Sequence, residues 1–142
     1  MTTPAAQALG YAVLLYSQSA ALRSQVRTAV GRRPAADLGR IDWIECDRYD
    51  QAKAELDRGG IDLAIFDGES QPTGGMGLSR QFKNELKACP PIAVLVARPQ
   101  DAWLATWSLA DAVLVLPLDA VASAAAVAGI LRSRAAAIPV AR

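Results

Sequence analysis

The chain has 142 residues, with 15 basic and 14 acidic side chains, two cysteines and no histidine. One domain of ordinary size fits this length, with enough core to fold without disulfides or a structural metal. The near-zero net charge gives no overall field for nucleic acid or an anionic membrane, and the lack of histidine, with Cys46 and Cys89 far apart, excludes zinc sites and histidine-based catalysis.

Residues 1–10 are small and alanine-rich and read as a loose lead-in to a body spanning 11–134. Tyr11 to Tyr16 (YAVLLY) is a short apolar run with no Lys or Arg before it, so it reads as a first strand rather than a secretory leader. Ser19 is placed to cap a helix from Ala20 to Val30, whose Leu22, Val26 and Val30 share one face. Gly31 and Pro34 close that helix. Arg23, Arg27, Arg32 and Arg33 make the region basic, which by itself describes a solvated helix face.

Ile41 to Cys46 (IDWIEC) alternates in part, as an edge strand with one wetter face does. Asp47 or Asp50 is expected to cap the next helix, in which Tyr49, Ala52 and Leu56 line one side and Gly59-Gly60 end it. Ile61 to Phe66 is a run buried on both faces, as in a central parallel strand, and it stops at Asp67. An acid at the carboxyl end of such a strand is expected to face solvent and chemistry rather than core.

The loop after Asp67 carries Glu69 and the glycine-rich TGGMG. That segment lacks the lysine of a phosphate loop and the full dinucleotide-binding pattern, so it reads as flexible backbone before it reads as an anion cradle. Leu78, Phe82 and Leu86 then mark an amphipathic helix that stops at Cys89-Pro90-Pro91, and Ile92 to Ala97 is a fourth strand. Pro99 to Ser108 carries Trp103 and Trp107 at helical spacing. Both rings fit either packing on the sheet or an exposed anchor for a protein partner.

Ala112 to Leu116 is a fifth strand ended by Pro117. Asp119 caps a final helix over about Ala120 to Arg132, with Val121, Ala124, Val127 and Leu131 expected to face inward, and residues 135–142 read as a tail. Five strands alternating with helical stretches predict an α/β fold, a doubly wound five-stranded parallel sheet of flavodoxin-like order. No apolar run approaches the ~18 residues that cross a bilayer, so the sequence predicts a soluble cytoplasmic protein with free thiols.

Five βα units, the acid ending the third strand, Met76-Gly77 leading into Leu78, and Leu116-Pro117-Leu118-Asp119 after the fifth strand resemble a response-regulator receiver domain over nearly the whole chain. The resemblance implies the (βα)5 receiver fold and a role in two-component or phosphorelay signalling. It places Asp67 at the family's phosphoacceptor, Ser17 and Gln18 at its pair of Mg²⁺-holding acids, Val96 at its switch threonine or serine, and Leu116 at its invariant lysine. The loop before Met76-Gly77 is about two residues longer than the family's.

Phosphoryl transfer to a carboxylate needs charge neutralisation by Mg²⁺ and a lysine, and Mg²⁺ prefers hard oxygen ligands, so these replacements disfavour ordinary phosphorylation. Only weak Mg²⁺ binding at Asp67 is expected, with no other cofactor. Arg98, on the same rim, is expected to pair with Asp67 or Glu69 in place of the absent lysine. The reading is therefore a stand-alone, degenerate receiver that is not an enzyme. It signals through contacts with a sensor kinase or a regulated protein, or through a homodimer formed by the 99–108 stretch with the fifth strand and final helix. A flavodoxin-like binder of a small molecule or nucleotide, using the loops around Ser17, Asp67 and Thr73, is the alternative.

Overall fold

In the computed structural model, residues 10–69, 75–86, 88–103 and 108–137 are described. The elements are β1 Tyr11–Tyr16, α1 Ala20–Val30, β2 Ile41–Cys46, α2 Tyr49–Arg58, β3 Leu63–Asp67, α3 Gly75–Glu85, β4 Ile92–Val96, a 3-10 turn Pro99–Ala102, β5 Ala112–Val115 and α4 Ala120–Ala137. All strand pairs are parallel, in the order β2-β1-β3-β4-β5. As expected, β3 is central and β2 is an edge.

Apart from the edge strand β2, the strands are near-continuous apolar runs because both faces of the sheet are covered. Val13, Leu15, Leu63, Ile65 and Leu95 meet Val26 and Val30 of α1 and Val127 and Leu131 of α4. The alternate residues Leu14, Tyr16, Ala64, Phe66, Val94 and Val96 meet Ala52 and Leu56 of α2 and Leu78 and Phe82 of α3. Period-two alternation therefore separates two cores rather than core from water. Truncating a large member such as Leu131 should cost about 2–5 kcal/mol.

Local chemistry fixes the helix ends. Ser19 Oγ accepts the Leu22 N–H at 3.1 Å and Asp119 Oδ2 accepts that of Ala122 at 2.7 Å. Gly31 (φ 84°) ends α1, and Gly59 and Gly60 (φ 83° and 84°) end α2, in a region closed to most side chains. At the start of α2 neither expected acid is the cap. Arg48 holds that position without a side-chain bond, because the helix begins between the two acids. Asp50 sits in the first turn, where its charge suits the helix dipole.

The inward stripe of α4 is also shifted from expectation. Val121 is 80% exposed, while Ser123, Val127, Ala128 and Leu131 are buried. At about 100° per residue, positions 123, 127 and 131 stay within one narrow face, and Val121 lies about 120° away from Val127. The helix runs through Ala137 rather than ending near Arg132. Between β4 and β5 the described part of the expected helix is the 3-10 turn followed by the helical Trp103, and Leu104 to Trp107 lie outside the described residues. No helix among the described residues is long and apolar enough to cross a membrane.

Candidate functional site

The carboxyl ends of β1 and β3 lie side by side, with Tyr16 opposite Phe66 in register, so the next residues along, Ser17 and Asp67, meet. Ser17 Oγ donates to Asp67 Oδ2 at 2.7 Å, and the same hydroxyl accepts the Ser19 N–H at 3.0 Å. The other carboxylate oxygen, Oδ1, accepts the Glu69 N–H at 2.9 Å, closing a turn over Gly68. Asp67 is 4% exposed and Ser17 0%. The acid expected to face solvent is thus roofed by a hydroxyl and its own turn.

Ser17 is itself anchored. Its N–H donates to the Cys46 carbonyl at 3.1 Å, and its carbonyl accepts a hydrogen bond from Arg23 Nη1. Arg23 Nε also donates to Glu45 Oε1 at 2.9 Å, and Arg27 Nε lies 3.1 Å from Glu45 Oε2. This clamp joins α1, the β1–α1 turn and β2 behind the site. Sequence reasoning took Arg23 for a solvated face, because its partner lies 22 residues away on another element.

Tyr16 is a second residue the sequence reading passed over. It is 1% exposed, its ring meets Phe66 edge-on at 6.0 Å, and its hydroxyl is pushed above the ordinary tyrosine range by burial and then by the negative charge of Asp67. The phenol and the carboxylate are therefore electrostatic neighbours. As the last member of an apolar run it looked like strand filler; its place just before Ser17 was the available signal.

Of the other expected rim residues, Val96 is buried at the end of β4, and its carbonyl accepts the Leu116 N–H at 2.8 Å. Leu116 is half-buried and Gln18 exposed. Arg98 does not pair with Asp67 or Glu69. Its guanidinium grips Asp101 with two bonds of 3.0 Å, and Glu69 contributes only a lesser attraction after Asp101. Residues three apart eclipse in a 3-10 turn, so Asp101 is the nearer carboxylate and takes the fork. Trp103 is 67% exposed just past that turn. Trp107 and Thr73 lie outside the described residues, as do Thr73-Gly74 of the TGGMG segment.

Mg²⁺, which the receiver resemblance implies, needs several hard oxygen ligands. Among the described residues no group of three or more His, Cys, Asp or Glu is placed to hold a metal. Asp67 Oδ2 accepts a hydrogen bond from the neutral Ser17 hydroxyl. Among the described residues the site thus offers an Mg²⁺ ion one carboxylate and no pair of further acids, a poor fit for tight binding. What the arrangement does supply is a buried carboxylate whose two oxygens are already hydrogen-bonded.

No family profile matches the chain. Response regulatory proteins of two Mycobacterium tuberculosis strains are 45% identical to it over 123 residues, covering 87% of this chain and 92% of each relative. Among solved structures, the receiver domain of a Francisella response regulator superposes with a TM-score of 0.72 at 14% identity, covering 87% of this chain and 98% of that one. The signal receiver domain of an HD domain-containing protein from Pseudomonas fluorescens gives 0.74 at 15% identity, covering 89% and 90%. A chemotaxis response regulator of Vibrio cholerae gives 0.67 at 17%, covering 87% and 100%.

Proposed function

This chain belongs to the response regulators and has the fold of their receiver domains, and we propose that within that family it is an atypical receiver, signalling through protein contacts without ordinary Mg²⁺-dependent phosphorylation of Asp67. The observation that carries this reading is the 2.7 Å bond from Ser17 to Asp67, made where the family resemblance puts a metal-holding acid. A hydroxyl donor lowers the charge at that oxygen only partly, whereas phosphoryl transfer calls for full positive counter-charge at the site. Arg98, the replacement the sequence suggested, is committed to Asp101. Leu116 carries no charge and Val96 no hydroxyl.

Output then leaves through a surface. The exposed Trp103, just past the 3-10 turn that packs on β4 and β5, supports that region as the face that meets a sensor kinase, a regulated protein or a second copy, since tryptophan is favoured at interface centres. Titration with Mg²⁺, read by tryptophan fluorescence and amide shifts, tests the metal half of the reading. No saturable change is expected below about millimolar ion. Micromolar binding that disappears in Asp67→Asn would overturn it.

A further inference from the structure

Among the described residues Arg32, Arg33 and Arg40 make neither an ion pair nor a side-chain hydrogen bond, unlike Arg23, Arg27, Arg48, Lys53, Arg58, Lys83, Arg98 and Arg132. All three belong to the connection between α1 and β2. Two are pinned by their backbone: the Arg32 carbonyl accepts the Ile41 N–H and the Arg40 carbonyl accepts the Tyr11 N–H, each at 2.8 Å. Arg32 and Arg40, with Arg33 next to Arg32 in the chain, are therefore rooted at the amino-terminal ends of β1 and β2, at the opposite end of the strands from Asp67.

The acids nearby do not answer them. Asp37, in the same connection, is held by both prongs of Arg132 at 2.7 and 2.8 Å. Glu45 is shared by Arg23 and Arg27. Asp42 belongs to the other face of β2 from Ile41 and Trp43, and its carboxylate packs on the backbone of Gly10. A cation in the last turn of a helix is ordinarily explained by the helix dipole, which covers Arg27. It does not cover Arg32, which lies past the Gly31 cap.

Beside this cluster is an open cavity of about 280 Å³ lined by Arg27, Thr28, Arg32, Ile41 and Trp43. Unpaired Arg32, Thr28 and Arg27, whose guanidinium also reaches Glu45, thus line it together with Trp43 and Ile41. The cavity lies at or below the ~300 Å³ where small-molecule sites begin, so it has room for one side chain rather than a whole metabolite. Arg33 and Arg40, outside it, extend the same charge over a wider surface, which suits an extended ligand. Arginine and tryptophan are also the side chains that dominate interface energetics.

We propose that this surface docks an acidic segment of a partner protein, with one carboxylate side chain seated between Arg27 and Arg32 against Trp43. The inference rests on the reading that the domain works through protein contacts, but it places a second contact surface away from Asp67 and Trp103. Its electrostatic character makes binding fall steeply with salt.

The probe is a short synthetic Glu–Ala peptide, titrated at low salt into the ¹⁵N-labelled full chain. A Lys–Ala peptide, inorganic phosphate and a short DNA duplex serve as parallel arms. The expected result is saturable shifts of the Trp43 indole N–H and of the amides of residues 27–33 and 40. Arg32→Glu should weaken binding about tenfold or more, as charge reversal at a desolvated contact does, and the double variant Arg33→Glu/Arg40→Glu should weaken it further. Both should keep the wild-type spectrum elsewhere, since these side chains are exposed. Asp67→Asn should leave peptide binding unchanged, which separates this test from that of the phosphorylation reading. The proposal is overturned by absent or unsaturable shifts, by equal binding in Arg32→Glu, by phosphate matching the peptide, or by tighter binding of the DNA or the Lys–Ala peptide.

Discussion

Ser17→Ala removes one hydroxyl and two hydrogen bonds from a site with almost no access to water. Ser17 is 0% and Asp67 4% exposed, so the carboxylate oxygen that loses its 2.7 Å donor gains little hydration in return. A hydrogen bond to a charged group contributes about 1.5–3 kcal/mol, and the stranded Ser19 N–H adds to the loss. We expect a destabilisation of about 2–3 kcal/mol and a fall in Tm of about 5–10 °C for a domain of this size. Urea unfolding followed by tryptophan fluorescence reads the change as a lower midpoint at unchanged slope. Ser24→Ala, at an exposed position of α1, is the control and should stay within about 0.5 kcal/mol of wild type. A Ser17→Ala midpoint as close to wild type as that of the control would refute the claim that the hydroxyl stabilises the buried carboxylate.

Three further outcomes follow from the packing and the charges. Trp103→Ala should cost under about 0.5 kcal/mol because the ring is 67% exposed, whereas Phe82→Ala, at 1% exposed, should cost about 3–5 kcal/mol; equal urea midpoints would contradict the assignment. Cys46 is buried and its thiol is pushed up to about 11, first by burial and then by Glu55 and Asp47, so native protein treated with iodoacetamide near pH 8 should be labelled at the half-buried Cys89 and not at Cys46. Peptide mapping by mass spectrometry decides this, and rapid labelling of Cys46 would count against its burial. Asp37 is held down to about 2, against an ordinary 3.8, by its bonds to Arg132. Its folded value lies below its unfolded one, so the stabilisation is complete above pH ~4 and is lost as pH falls through ~2. The difference in urea midpoint between wild type and Asp37→Asn should follow that course; a difference that persists at pH 2 would rule the pair out as its source.

The sheet was readable because every strand but the edge strand β2 is a run such as LAIF or IAVLV that only a two-sided cover explains, and because Leu22/Val26/Val30 and Leu78/Phe82/Leu86 are clear helical stripes. The final helix was harder. In AVASAAAVAGIL nearly every residue is small or apolar, so no contrast marks the inward side, and Val121 was assigned to the core when it faces water. At the site, only the receiver resemblance put Ser17 near Asp67, at a metal-holding position, and the bond between the two was not foreseen. Nor was the burial of Asp67, because it depends on two hydrogen bonds that close over the carboxylate. Arg98 was misassigned for a local reason: an acid three residues ahead in a tight turn outcompetes one across the rim. Tyr16 and Arg23 escaped notice because the features that matter, a buried phenol that feels the charge of Asp67 and a clamp between α1 and β2, arise only from register and long-range packing.

The central claim is that Asp67, bonded to Ser17 instead of facing a metal-holding acid, is not an ordinary phosphoacceptor. Incubating the full chain with acetyl phosphate and Mg²⁺ and recording the intact mass tests this most directly, with Asp67→Asn treated in parallel. The account predicts that wild type keeps its unmodified mass, as the variant does. A gain of one phosphoryl group by most of the wild-type protein, absent from Asp67→Asn, would contradict it.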